Sequence, residues 1–184
     1  MLMAAVRAAT EADLARLPAL EAASDTLLTG MPGISSGALL RLPPPAAAGE
    51  LAAALQILVA GDPVAGFARI EEAGGFAHLE QLSVHPAAAG AGLGRALLNA
   101  ALHWARERGY PGMTLCTFSE VPFNAPFYRS AGFVVVEPEG ALASLRRHEA
   151  ELGLDDVGPR VAMRVLFGSG LPPSDDSKHS LGNT

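Results

Sequence analysis

The chain has 184 residues, 49% apolar and 17% charged, which excludes a disordered chain or a coiled coil and suits one domain with a real core. Net charge is −6, and no basic run is longer than Arg146-Arg147, which argues against nucleic acid as a partner. A single cysteine, Cys116, excludes an intrachain disulfide and a multi-cysteine metal site, while the most apolar stretch, Leu51 to Ala60, is too short to span a membrane.

The start, MLMAAVRAATEADL, lacks the charged and long apolar regions of a secretory signal, so the cytoplasm is expected. A short strand near residues 4–8 leads to Thr10-Glu-Ala-Asp13, a capping-box-like start, and Leu14, Leu17 and Leu20 then recur at helical spacing. From Thr29 to Gly49, glycines and Pro43-Pro44-Pro45 predict a loop with a helical piece near Ser36 to Leu40. Leu55 to Ala60, Val64 to Glu71 and Phe76 to His85, separated by turn residues, predict three successive antiparallel strands.

Leu93, Leu97, Leu98, Ala101, Leu102 and Ala105 have helical spacing and stop at Gly109. Gly112 to Phe118 reads as a strand, Asn124 to Ser130 as a short helix and Phe133 to Val136 as a strand, an alternation that predicts parallel pairing. Ala141 to Leu152 reads as a polar helix and Arg160 to Phe167 as a last strand. One domain over 1–167 and a disordered tail over 168–184 are expected.

Gly90-Ala-Gly92-Leu-Gly94-Arg95 lies between a strand and a helix start, where free N–H groups and the positive helix end favour a phosphate. A dinucleotide turn fits poorly, because Arg95 stands where its third glycine belongs, and the Gly-Lys-Ser/Thr of a nucleoside-triphosphate loop is absent. On the strand from Phe76, alternation puts His78, Glu80, Leu82 and Val84 on one face, and Leu79, Gln81, Ser83 and His85 on the other. Two polar residues, His78 and Glu80, on a strand expected near mid-sheet suggest a solvent-filled cleft.

The stretch HLEQLSVHPAAAGAGLGRALLNAAL, His78 to Leu102, resembles the cofactor-binding core of the GNAT superfamily of N-acetyltransferases, and NAPFYRSAGF, Asn124 to Phe133, resembles its second signature. The resemblance covers roughly Val6 to Phe167. It implies an α+β acyl-CoA N-acyltransferase fold with a mixed sheet of about seven strands flanked by helices, acetyl-CoA as co-substrate, no metal, and a primary amine of a small molecule or peptide as acceptor. It implies further that the amides of Ala89, Gly90, Ala91, Gly92, Leu93, Gly94 and Arg95 hold the CoA pyrophosphate. The strand at Leu82, Ser83 and Val84 would meet the pantetheine arm, with the Leu82 N–H polarising the thioester carbonyl. Ala89 and Ala91 stand where Gln or Arg and a basic residue are usual, and Arg95 is the candidate to supply the missing charge.

By the same resemblance, Glu80 is the favoured general base with His78 second, Tyr128 serves the departing thiolate, and Asn124, with Phe127 nearby, holds the pantetheine arm. Asn124 also reads as a helix N-cap. Residues Thr29 to Gly49 and the Ala141 to Leu152 helix with its following loop are expected to wall the acceptor. Pairing as a homodimer is expected from the habit of such domains, although the sequence contains no direct sign of it. An acyl-CoA-binding sensor without turnover is the alternative, motivated by Ala89 and Ala91.

Overall fold

The computed structural model describes residues 5–168, so the expected tail lies, from residue 169 on, outside the described residues. Its sheet has seven strands in the order β1-β2-β3-β4-β5-β7-β6, with β1 Val6–Ala8, β2 Gln56–Ala60, β3 Gly66–Ala73, β4 Phe76–Val84, β5 Gly112–Phe118, β6 Val134–Val136 and β7 Arg160–Leu166. This is the mixed sheet expected. Pairs β1–β2, β2–β3 and β3–β4 are antiparallel, as the hairpin signals predict.

Among the described residues, parallel pairing holds only between β4 and β5. The parallel neighbour expected for β5 in the Phe133 to Val136 strand is not there, because β7 inserts between them and pairs antiparallel with both. The last strand is the better partner for β5, matching it from Gly112↔Leu166 to Phe118↔Arg160, whereas β6 offers three residues.

The clearest helix of the sequence is α5, Leu93–Glu107, numbered after α1 Glu11–Leu14, α2 Leu17–Asp25, α3 Ser36–Leu39 and α4 Ala48–Ala52. It ends where Gly109 takes φ +76°, and the N–H groups of Gly109 and Tyr110 bond back to Arg106 and Ala105 at 3.0 and 3.1 Å, the left-handed stop that glycine permits. Leu97, Leu98, Ala101 and Ala105 are fully buried against Ile70, Ala77, Leu79 and Met113 of the sheet. Each such leucine contributes about 1.5–3 kcal/mol of burial.

The single first helix expected from Leu14, Leu17 and Leu20 is two, broken between α1 and α2, with Pro18 in the first turn of the second. At its start Thr10 donates N–H and Oγ1 to the Asp13 carboxylate at 2.8 Å, and Arg7 holds that carboxylate well below the usual range. Leu17 and Leu20 pack with Leu51, Ile57, Val59 and Phe67 on the sheet face opposite α5. Three further helices follow: α6 Ala125–Arg129, α7 Gly140–Glu151 and α8 Leu154–Val157. No helix among the described residues is long and apolar enough to cross a membrane.

Candidate functional site

Between β4 and α5 the backbone forms an open cradle. Gly90 and Gly92 take φ +79° and +82°, and a Cβ built on either meets no protein atom within 4 Å, so the space beside them is free for a ligand. Among the described residues the N–H groups of Gly90, Gly92, Leu93, Gly94 and Arg95 find no carbonyl partner, and the last three are the first-turn donors of α5. The expected set is narrower in two places. The N–H groups of Ala89 and Ala91 already bond to Pro86 and Ala88 at 3.1 and 3.2 Å, at the end of the 3-10 turn Pro86–Ala88 and just after it, so neither is free to donate to a phosphate. The Arg95 guanidinium lies 4.5 Å over the Phe127 ring and bonds the Ser130 hydroxyl, which keeps a cation at the edge of the cradle.

Beside the cradle the sheet opens. β4 and β5 are paired only at Ala77↔Met113 and His78↔Thr114, and the rest of β4 runs free on that side. His85 donates its N–H to Ala65 across the β3 edge, which by the two-residue strand period turns Ser83 the same way and leaves the N–H and C=O of Leu82 and Val84 facing the gap. The Leu82 amide therefore faces the gap between β4 and β5.

The face assignment made from alternation is corrected here. The β3–β4 register steps from Arg69↔Gln81 to Ile70↔Leu79, so Glu80 is an extra residue in a β-bulge. Past the bulge the side chains exchange faces. Leu82 and Val84 pack on the α5 core with Ala77 and Leu79, whereas Gln81 and the fully buried Ser83 join His78 and Glu80 on the other side, Gln81 donating to Ser83 at 2.8 Å. In a strand without the bulge, Leu82 and Val84 would share the face of His78 and Glu80.

His78 and Glu80 thus lie on a polar strip of the face opposite α5, their Nε2 and Oε2 atoms 3.4 Å apart. His78 is only 3% exposed, and its Nδ1 bonds Thr114 Oγ1 at 2.9 Å. His78 holds the Glu80 carboxyl below the ordinary glutamate range against burial, which acts in the opposite direction, with Arg69 and Arg160 adding to the effect. Glu80 is therefore an ionised acceptor at neutral pH, its side chain 42% exposed. Arg160 is itself bidentate on Glu149, which also takes Arg146 at 2.8 Å, so α7 is tied down beside the strip.

The two segments expected to wall the acceptor meet. Ser35 donates to the Val157 carbonyl at 2.8 Å, and Leu28, Ala38, Phe118, Val121 and Val157 form one cluster that joins α3 to α8. On the opposite face, Tyr128 packs edge-on against Phe127 and Phe133, and its hydroxyl has no hydrogen-bond partner among the described residues. Burial pushes its phenol pKa up, so it is a proton-bearing group. Asn124 occupies the N-cap position of α6, but its side chain makes no capping bond there. Phe127 and Val84 flank Gly94.

The other histidines and the cysteine have plain roles. His85 accepts the Ala87 N–H as a turn residue, and His103 is exposed, 3.2 Å from Glu107 one turn on. Cys116 is half-buried, and burial pushes its thiol up to about 12, which removes it as a nucleophile at neutral pH.

Sequence reasoning missed Glu21, Asp25, Arg69, Thr114 and Arg160. The four-residue spacing of Glu21 and Asp25 on a predicted helix was a usable signal; the others depend on which strands become neighbours. Burial, with Asp25, Glu80 and Glu50 adding repulsion against the pull of Arg69, pushes Glu21 up to about 7, and burial pushes Asp25 up to about 6. The folded state thus holds a proton on Glu21 that the unfolded chain releases at ordinary carboxylate pH. Stability from this group is full below that lower value and declines as pH rises, until about 7. Glu21→Gln is therefore expected to raise the melting temperature at pH 8 and leave it unchanged at pH 4; equal shifts at both would remove ionisation as the cause.

A sequence profile of the acetyltransferase (GNAT) family matches residues 42–133, half of the chain. The structure is similar to a GCN5-related N-acetyltransferase from Rhodopseudomonas palustris, at 21% identity and TM-score 0.67 over 91% of this chain and 98% of that one. It is also similar to an N-acetyltransferase of Thermoplasma acidophilum solved with coenzyme A, at 16% identity and TM-score 0.64 over 90% and 100%. Against a Bacillus anthracis acetyltransferase solved with acetyl coenzyme A, the match spans 61% of this chain and 62% of that one, at 22% identity and TM-score 0.49, less than two thirds of that relative. At these identities the likeness is one of fold.

Proposed function

The chain belongs to the GNAT family of acetyltransferases, and from that premise we propose that it moves the acetyl group of acetyl-CoA to a primary amine of a small molecule or peptide by direct attack in a ternary complex. One observation carries the reading: the bulge at Glu80 presents an ionised carboxylate two residues past the last β4–β5 rung, on the strand that leads into a backbone cradle with free N–H groups. The residues present fit the co-substrate. Gly90, Gly92, Leu93, Gly94 and Arg95 would hold its pyrophosphate, Leu82 and Val84 would pair with the pantetheine arm, and Asn124 and Phe127 would flank it. When bound there, acetyl-CoA supplies an activated thioester.

The chain's own groups then divide the work. The Leu82 N–H, aimed at the gap, donates to the carbonyl oxygen where negative charge develops. Glu80 accepts the amine proton, directly or through one water, because only the neutral amine is a nucleophile. The Tyr128 hydroxyl, without a competing protein partner, donates toward the sulfur. Coulombic attraction of a cationic amine to the ionised Glu80 supports an amine acceptor, and the cytoplasm is its proposed place of action.

Calorimetric titration with acetyl-CoA followed by a broad amine screen with thiol detection tests the proposal. Binding with amine-dependent thiol release is expected. Binding without release under any amine would favour an acyl-CoA sensor. Tyr128→Phe is expected to lower kcat by about 10-fold, at the low end for a proton donor because a thiolate leaves readily. Its melting temperature should be unchanged, since no protein hydrogen bond is lost; an unaltered kcat would remove the phenol from the mechanism.

A further inference from the structure

Resting on the reading of Glu80 as the proton acceptor, we infer that Thr114 is a positioning residue: through the buried ring of His78 it fixes the orientation of the Glu80 carboxylate and the donor that faces it. His78↔Thr114 is the last rung at which β4 and β5 pair before they part. Both residues are 3% exposed, and their side chains bond each other across that rung at 2.9 Å. Two residues further along β4, at the bulge, stands Glu80, 3.4 Å from the far nitrogen of the same ring.

The direction of the chain follows from its charged end. An ionised carboxylate only accepts, so His78 Nε2 must carry the proton that faces Glu80. In a neutral imidazole the other nitrogen is then bare, and Thr114 must donate its hydroxyl proton to Nδ1. A hydroxyl at this rung satisfies the buried nitrogen and prevents the ring from turning. Valine, of similar shape, leaves Nδ1 unpaired and frees the ring to change tautomer. The charged and titratable groups around this chain are Glu21 and Asp25 from α2, Arg69 and Glu71 from β3, Cys116 from β5, Arg160 and Arg164 from β7, and Arg146 and Glu149 from α7. Among these, no hydrogen bond to either nitrogen of His78 is made, so the tautomer depends on Thr114 and Glu80.

The test uses the full chain and its Thr114→Val and Thr114→Ser variants. Nitrogen-detected NMR of the histidine rings at pH 7.5 is expected to show His78 protonated on Nε2 and bare on Nδ1. Thr114→Val is expected to lower kcat by about 10-fold, a fraction of what a proton acceptor contributes. It should also move the acid limb of kcat/KM to higher pH, because Glu80 loses its fixed donor. Thr114→Ser should restore both, and acetyl-CoA affinity should be the same in all three. A residue that merely clamps the sheet would lower the melting temperature without moving the acid limb.

A wild-type His78 with its proton on Nδ1 overturns the inference, as does a Thr114→Val enzyme whose rate and acid limb match the wild type. If Thr114→Val does not fold, the wild-type tautomer and the Thr114→Ser profile decide. If the wild type turns over no amine, the N-acetyltransferase reading fails by itself, and the His78 tautomer still reports whether the chain from Thr114 to Glu80 is set as described.

Discussion

Glu80→Gln is expected to lower kcat by about 100-fold or more, with acetyl-CoA affinity unchanged, because the amide keeps the size of the side chain and removes its capacity to take a proton. Glu80 stands on the face opposite the aliphatic side chains of Leu82 and Val84, so the substitution leaves their packing on the α5 core undisturbed. In the wild type the acid limb of kcat/KM should lie below the ordinary glutamate range: His78 holds the carboxyl down, and activity is lost only as pH falls far enough to protonate it. In the variant that limb should disappear from what activity remains. An unchanged kcat, measured by thiol release across several pH values with the best amine of the screen, would remove Glu80 as the base. A parallel loss of acetyl-CoA binding would instead place it in co-substrate recognition.

The second large effect concerns the cradle. Gly92→Val is expected to weaken acetyl-CoA binding by at least about 30-fold, roughly 2 kcal/mol. Gly92 stands at φ +82° at the N-cap of α5, a conformation that a β-branched residue adopts only with strain, and the side chain would project into the space a phosphate needs. Gly109→Val is the matching control. It carries the same left-handed strain, φ +76° with nothing within 4 Å, at the far end of the same helix. Calorimetry should show the control destabilised but binding acetyl-CoA like the wild type. Equal affinity in both variants would mean that the pyrophosphate is not held at Gly92.

Much of the fold was legible because its signals are local. The β5 boundaries, the α5 heptad-like run from Leu93 to Ala105 and its glycine stop, the Thr10–Asp13 start and the piece at Ser36 all depend on neighbours within a few residues. The candidate site was partly legible for the same reason. A glycine cluster between strand and helix announces free amides, and the residues from His78 to Val84 name the strand beside it. Where the reading erred, the cause is again particular. Alternation fails at Glu80 because a single unpaired residue shifts every later side chain of β4 to the other face.

Chain sequence alone therefore determined most of the elements, the glycine turn with its free amides and the presence of two unusual polar residues on one strand, since helix periodicity, turn chemistry and capping are written in adjacent positions. The tertiary structure decided what those residues can do together. It inserted β7 beside β5, brought Arg160 and Thr114 to the same face as His78 and Glu80, occupied the amides of Ala89 and Ala91 and left those of Gly90 and Gly92 free. These outcomes depend on which distant segments compete for one edge or one carbonyl, and that competition is settled by packing over the whole sheet.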